Sequence, residues 1–151
     1  MDVWITPDSI APNVPKERVL AVSLNEKNEI ISPEGGSWEG NRFHFKTRSF
    51  GPYTLMADTV KPRVKPFNIV PHRDMSNRKT IEFTISDGLS GIESYRAEVD
   101  GKWILMEYEY KKNRLTHYLS DGVITPGNHE IKVTVTDKAG NVAEYSLPFK
   151  Y

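Results

Sequence analysis

The stretch Thr80–Tyr145, TIEFTISDGLSGIESYRAEVDGKWILMEYEYKKNRLTHYLSDGVITPGNHEIKVTVTDKAGNVAEY, alternates apolar and polar residues between regularly spaced turn residues. In Thr80–Ser86, Ile81, Phe83 and Ile85 fall on one side and Glu82 and Thr84 on the other. Ile131, Val133 and Val135 repeat the pattern within Glu130–Thr136, and Ala143, Tyr145, Leu147 and Phe149 repeat it again. A period of two in β-branched and aromatic residues predicts strands with one buried face. Tyr95, Ala97 and Val99 lead into Asp100-Gly101, a dipeptide that tolerates positive φ at both positions and so predicts a two-residue hairpin, with Trp103–Tyr108 as the returning strand. Further turns fall at Lys111-Lys112-Asn113, Pro126-Gly127-Asn128 and Asp137–Asn141, bracketing a strand over Leu115–Leu119 and the penultimate strand. With a first strand over Phe67–Val70 the region holds about seven strands, the count and spacing of an immunoglobulin-like β-sandwich. A small barrel or meander is the alternative.

Upstream, Asp58–Pro66 holds Pro62 and Pro66, each lacking a backbone donor and biasing its predecessor to extended geometry. The boundary is therefore expected there: a small β unit or partial sandwich over residues 1–60, and the Ig-like sandwich over 61–151. In the first part Arg18–Leu24, Arg42–Lys46 and Tyr53–Ala57 read as strands, with turns at Asn25–Asn28 and Glu34–Asn41. Few apolar residues remain to close a second sandwich, and units near 60 residues bury little. A single helical turn at Pro15–Arg18 is the sole helix signal.

Lys plus Arg equals Asp plus Glu at 20 each, which removes the electrostatic footprint of a nucleic-acid binder. Neither part is polarised, with six basic and eight acidic residues up to Val60 and 14 and 12 beyond it. The absence of cysteine excludes a disulfide framework and thiolate metal sites. No apolar run reaches the roughly 20 residues of a membrane-spanning helix, and Met1-Asp2-Val3-Trp4 does not read as a signal peptide. The chain is thus expected to be cytosolic or a piece of a longer secreted protein.

Motifs for chemistry are sparse. His44, His72, His117 and His129 are scattered without an HExxH or HxH pattern and read as surface or strand-packing residues. No P-loop, GxSxG or GxGxxG occurs. Glu107 and Glu109 share one strand face and read as solvated rather than as a glycosidase acid and base. Asp87 and Asp137, each followed by a Gly-containing turn, could bring oxygen ligands for calcium to one end of the sandwich together with Asn141. The simpler reading is that both carboxylates accept turn N–H groups. Trp103, Tyr108, Tyr110 and Tyr118 fall on neighbouring strands and form a candidate ligand platform for a sugar or peptide, although cross-strand packing accounts for the same residues and is the reading adopted from sequence. The run Lys61, Arg63, Lys65, Arg73, Arg78 and Lys79 reads as a solvated linker. No catalytic residue, metal or cofactor is assigned.

The segment SDGLSGIESYRAEVDGKWILMEYEYKKNRLTHYL followed by TPGNHEIKVTVTDKAGN resembles the C-terminal Ig-like region of secreted bacterial zinc endopeptidases of the lysostaphin type, which cut peptidoglycan cross-links. SFGPYTLMADTVKPRV is similar to the seam between two β modules of that family. Those enzymes hold zinc through a separated His and Asp plus an HxH motif, and this chain has no HxH. The resemblance therefore implies a non-catalytic accessory module of a cell-envelope peptidase, secreted, periplasmic or at the cell surface. The implied partners are the parent catalytic domain or another envelope protein, and a glycan or peptidoglycan; no nucleic acid and no membrane span are implied. A stand-alone carbohydrate-binding or adhesive module is the alternative.

Overall fold

A computed structural model describes all 151 residues, Met1–Tyr151. The chain is all-β, with three 3-10 turns at Lys16–Arg18, Tyr110–Lys112 and Leu119–Asp121. No helix is long and apolar enough to cross a membrane. Two compact units divide between Val60 and Lys61, except that the turns Gly88–Gly91 and Lys138–Asn141 group with the first unit.

The first unit contains β1 (Asp2–Ile5), β2 (Val19–Leu24), β3 (Ile30–Gly35), β4 (Ser37–Glu39), β5 (Arg42–Lys46) and β6 (Tyr53–Ala57). They form two three-stranded sheets, in the orders β1-β5-β4 and β3-β2-β6. Its core is small: Ala21, Phe43 and Phe45 are buried, with Val3, Ile5, Val19, Trp38, Tyr53 and Leu55 packed against them. The expected turn over Glu34–Asn41 is corrected to strand on both sides of a tight corner. β3 continues to Gly35, Gly36 turns the chain at φ +117°, and β4 follows. Pro33 is compatible with β3 because that strand lies at a sheet edge.

The second unit contains β7 (Arg63–Pro66), β8 (Arg73–Asp74), β9 (Thr80–Ser86), β10 (Ile92–Val99), β11 (Lys102–Ile104), β12 (Glu107–Glu109), β13 (Arg114–Tyr118), β14 (Asn128–Asp137) and β15 (Val142–Lys150). A five-stranded sheet runs β11-β10-β14-β15-β8 and a four-stranded sheet β12-β13-β9-β7. This is an Ig-like sandwich, and its core follows the period-two pattern: Ile81, Phe83, Ile85, Ile131, Val133 and Val135 are all fully buried, with the Tyr145 ring 6.2 Å from Phe83.

Three expectations are corrected here. The first strand lies at Arg63–Pro66, so Arg63 and Lys65 belong to a strand rather than a linker. Phe67–Val70 is not a strand: Phe67 N–H still donates to the Glu82 carbonyl at 2.8 Å, but beyond it the Asn68 side chain takes the place of backbone pairing to β9, accepting from Glu82 N–H at 2.8 Å and donating to the Thr80 carbonyl at 2.9 Å. Trp103–Tyr108 is not one strand either. The chain leaves the five-stranded sheet after Ile104 and enters the other as β12, with Ile104 and Met106 buried and Leu105 turned outward.

Candidate functional site

The switch between sheets builds the most distinctive surface of the second unit. Asp100 (φ 51°) and Gly101 (φ 78°) form the tight turn between β10 and β11. Asp100 Oδ1 accepts the Glu130 N–H at 2.9 Å, and its Oδ2 meets His129 Nδ1 at 2.6 Å. His129 Nε2 meets the Thr125 carbonyl at 2.7 Å, so both ring nitrogens face acceptors, an arrangement that the doubly protonated ring satisfies. The Asp100 bond raises the His129 pKa, and the same bond lowers that of Asp100. Beyond this fixed turn β11 is an edge strand that carries Trp103 on the face of Glu98.

Trp103 is 54% exposed and Leu105 55% exposed. With Tyr95 and Arg96 they line a shallow cavity of about 230 Å³. Tyr95 stands at the open margin of the core, its ring 5.7 Å from that of Tyr108. Tyr108 is half-buried; burial pushes its phenol pKa up, with smaller contributions from Tyr110 and Tyr95. Trp103 sits cross-strand from Glu98, which pairs with Arg96 at 2.7 Å and Lys132 at 3.6 Å. The Arg96 bond holds the Glu98 carboxyl below its ordinary pKa. The result is an exposed indole on the strand face that carries a row of hydrogen-bonding ionic groups, with Tyr95 on the other face of β10 at the cavity margin. An uncovered indole beside such groups is suited to stacking on a sugar face or a planar side chain while bonding its polar edge.

Of the expected platform, the structure brings Tyr108 and Tyr110 into one neighbourhood with Tyr95, and Tyr95 into one cavity with Trp103. Tyr118 is set apart, in a cavity with Arg78, Lys79 and Tyr151. Trp103 pairs cross-strand with Glu98 and leaves about half of its surface exposed. Tyr95 and Leu105 were missed: Tyr95 has the parity of a core residue, and Leu105 looks like mid-strand until the sheet switch is known.

Asp87 and Asp137 follow and end β9 and β14 respectively, and their carboxylate oxygens approach within 4.8 Å. These two residues are close enough to share a cation. Asn141 is buried, and its side-chain amide donates to the Asp58 carbonyl at 2.9 Å within the first unit. Asp58, not singled out in the sequence, also accepts the N–H groups of Ser90 at 3.0 Å and Val60 at 3.1 Å. Its only sequence signal is its place just before the boundary prolines.

The histidines occupy separate environments. His44 lies between Asp2 (2.9 Å) and Glu39 (3.2 Å) and stacks on Trp4 with centroids 4.5 Å apart. The His44 bond lowers the Asp2 pKa. His117 is buried, its Nδ1 2.8 Å from the Leu105 carbonyl. His72 adopts φ 63° at a turn. In the first unit, β6 and the segment after β1 enclose an apolar groove of about 390 Å³.

No family model matches the chain. An uncharacterized Bacillus subtilis (strain 168) protein, YvnB, is 29% identical over 96 residues, covering 64% of this chain and 7% of that protein. The chain thus spans a small fraction of this relative's length. Among solved structures, the fibronectin(III)-like modules of Clostridium thermocellum CbhA are similar at TM-score 0.46 and 18% identity, covering 99% of this chain and 84% of theirs. The endo-β-1,4-mannanase of Thermotoga petrophila is similar at TM-score 0.49 and 14% identity, covering 62% and 20%. CopC from Methylosinus trichosporium OB3b is similar at TM-score 0.44 and 14% identity, covering 58% and 92%. The chain itself is an all-β protein with an Ig-like β-sandwich preceded by a smaller β unit.

Proposed function

We propose that this chain is a non-catalytic accessory module of a secreted bacterial cell-envelope peptidase, and that it holds the parent enzyme on its glycan-peptide substrate through the aromatic edge of the second unit. The observation that supports this reading is the exposed Trp103 beside Tyr95, Leu105 and the Arg96–Glu98 pair, on an edge strand whose turn is locked by Asp100 and His129. A rigid strand presenting an uncovered Trp is an anchor of low conformational cost for a partner. The resemblance of the SDGLSG…DKAGN segment to the lysostaphin-type endopeptidases supplies the envelope context. A stand-alone carbohydrate-binding module is the second reading, favoured by the same exposed indole.

The test is co-sedimentation of the full chain and its Trp103→Ala variant with purified peptidoglycan sacculi. Saturable binding that falls at least roughly tenfold in the variant, with an unchanged melting temperature, supports the reading. Equal binding by both proteins overturns it, and so does cleavage of the sacculi. A parallel titration with chitin oligosaccharides distinguishes the two readings. Binding to the free glycan alone favours the stand-alone module, whereas a requirement for the peptide stem favours the peptidase accessory.

A further inference from the structure

A second surface, in the first unit, has a different chemistry. β6 (Tyr53–Ala57) is the last strand of its sheet. The Asp58 N–H bonds the Arg18 carbonyl and the Leu24 N–H bonds the Pro52 carbonyl, each at 2.9 Å. In the antiparallel register that pairs Leu20 with Met56 and Val22 with Thr54, these bonds fix which residues face β2. Thr54 and Met56 bond to β2, so Tyr53, Leu55 and Ala57 direct their N–H and C=O groups to the open side.

That side opens on the groove of about 390 Å³, whose lining includes Ile5, Ile10, Val14, Trp38, Leu55 and Met56. None of its 13 lining residues carries a charge. The chain between β1 and β2 runs past the groove without pairing to β6; its internal backbone bonds are Val14 N–H to the Ala11 carbonyl and Arg18 N–H to the Pro15 carbonyl, and Pro7, Pro12 and Pro15 have no donor to offer. Natural sheets rarely leave such an edge both apolar and uncharged, because it templates the addition of another strand.

We propose that this groove is a docking site for an extended, uncharged peptide segment that adds to β6 as a further strand and places alternate apolar side chains against Ile10, Val14 and Met56. Two features select this occupant. Outward N–H and C=O groups recurring every second residue match another extended backbone and have no counterpart on a glycan or an acyl chain. The uncharged lining disfavours a segment with acidic or basic side chains at the covered positions, since burying an unpaired charge is costly. This site is independent of the aromatic edge of the second unit and stands whether or not that edge binds sacculi.

The experiment titrates the full chain, labelled with ¹⁵N, with a roughly ten-residue peptide of alternating Val and Thr carrying a terminal Lys pair for solubility. A second titration uses the same peptide N-methylated at alternate residues on its bonding edge. The expected result is saturable shifts and slowed hydrogen exchange at the Leu55 and Ala57 amides, and at least roughly tenfold weaker binding of the methylated peptide. Ala57→Pro removes one outward donor at an edge position where proline is tolerated, and should abolish those effects. Met56→Lys, which leaves the β2 hydrogen bonds intact, should do the same and serves where the proline variant fails to fold. The proposal is overturned by equal binding of the methylated peptide, by no shift at about 1 mM peptide, by shifts confined to other residues, or by binding that survives Met56→Lys. Concentration-dependent protection of Leu55 and Ala57 in the absence of peptide, with a dimer in sedimentation, would also overturn it by assigning the groove to a second copy of the chain. Shifts of these amides by chitohexaose or phosphatidylglycerol vesicles would likewise refute the assigned occupant.

Discussion

Replacing Phe83 by Ala tests the core of the second unit. The ring is fully buried in the middle of β9, between Ile81 and Ile85 in strand phase and beside Leu115 across the register. Its edge meets Tyr145 from the other sheet, with centroids 6.2 Å apart and planes at 65°. Truncation removes the transfer free energy of the ring and leaves a cavity that two hydrogen-bonded sheets cannot collapse into, which together cost about 3–5 kcal/mol. Loss of the aromatic pair falls at the upper end of that range. A domain of ordinary stability holds about 5–15 kcal/mol, so the variant should be folded but close to its limit. With a urea slope of about 2 kcal/mol per molar, the midpoint followed by circular dichroism should fall by roughly 1.5–2.5 M. Glu144→Ala, on the exposed face of β15, should change stability by less than about 0.5 kcal/mol. Equal midpoint shifts for the two variants would show that the assigned strand phase is wrong.

The remaining predictions concern turns and titration. A Cβ on Gly36 would stand 2.7 Å from the His44 carbonyl and against the Phe43 ring at φ +117°, so Gly36→Ala should destabilise the first unit by several kcal/mol; Gly40→Ala, in open space at φ +64°, should cost about 1 kcal/mol, and paired thermal melts separate the two. Gly101→Val places a β-branched residue at φ +78° and should lower stability by about 1–2 kcal/mol in urea melts, whereas Gly101→Asn should be nearly tolerated. The His129 pKa is raised above its ordinary 6.5, so its contribution is complete below that value and lost as pH rises through the folded-state pKa. The Asp100 pKa is lowered from 3.8, so its contribution is present above that value and lost as pH falls through the folded-state pKa. The pair therefore stabilises most between those ordinary values. Because Asp100 is half exposed the effect should be no more than about 1 kcal/mol, read as a pH dependence of the urea midpoint that His129→Gln abolishes.

Much of the second unit was legible in the sequence because its information is local. Period-two alternation puts Ile81, Phe83 and Ile85 on one face whatever their neighbours are, and Asp100-Gly101 carries its positive φ in its own covalent structure. The boundary prolines act equally locally on the chain around them. Pairing partners are not local, and there the sequence fell short. Asn68 looked like part of a strand because nothing nearby reveals that its amide would take the place of backbone bonds to β9. The sheet switch at Leu105 depends on which strands lie beside β10 and β13, and with it depends the exposure of Leu105 and Trp103. In the first unit, β3 and β4 were hidden in a Gly-rich segment because their extended geometry is imposed by pairing to β2 and β5 rather than by propensity. The sequence by itself thus determined the all-β class, the strand phase and the tight turns, which depend on residues a few positions apart. Tertiary structure alone decided which strands are edges and which aromatic residues remain uncovered, because exposure is a property of neighbours brought together from distant parts of the chain.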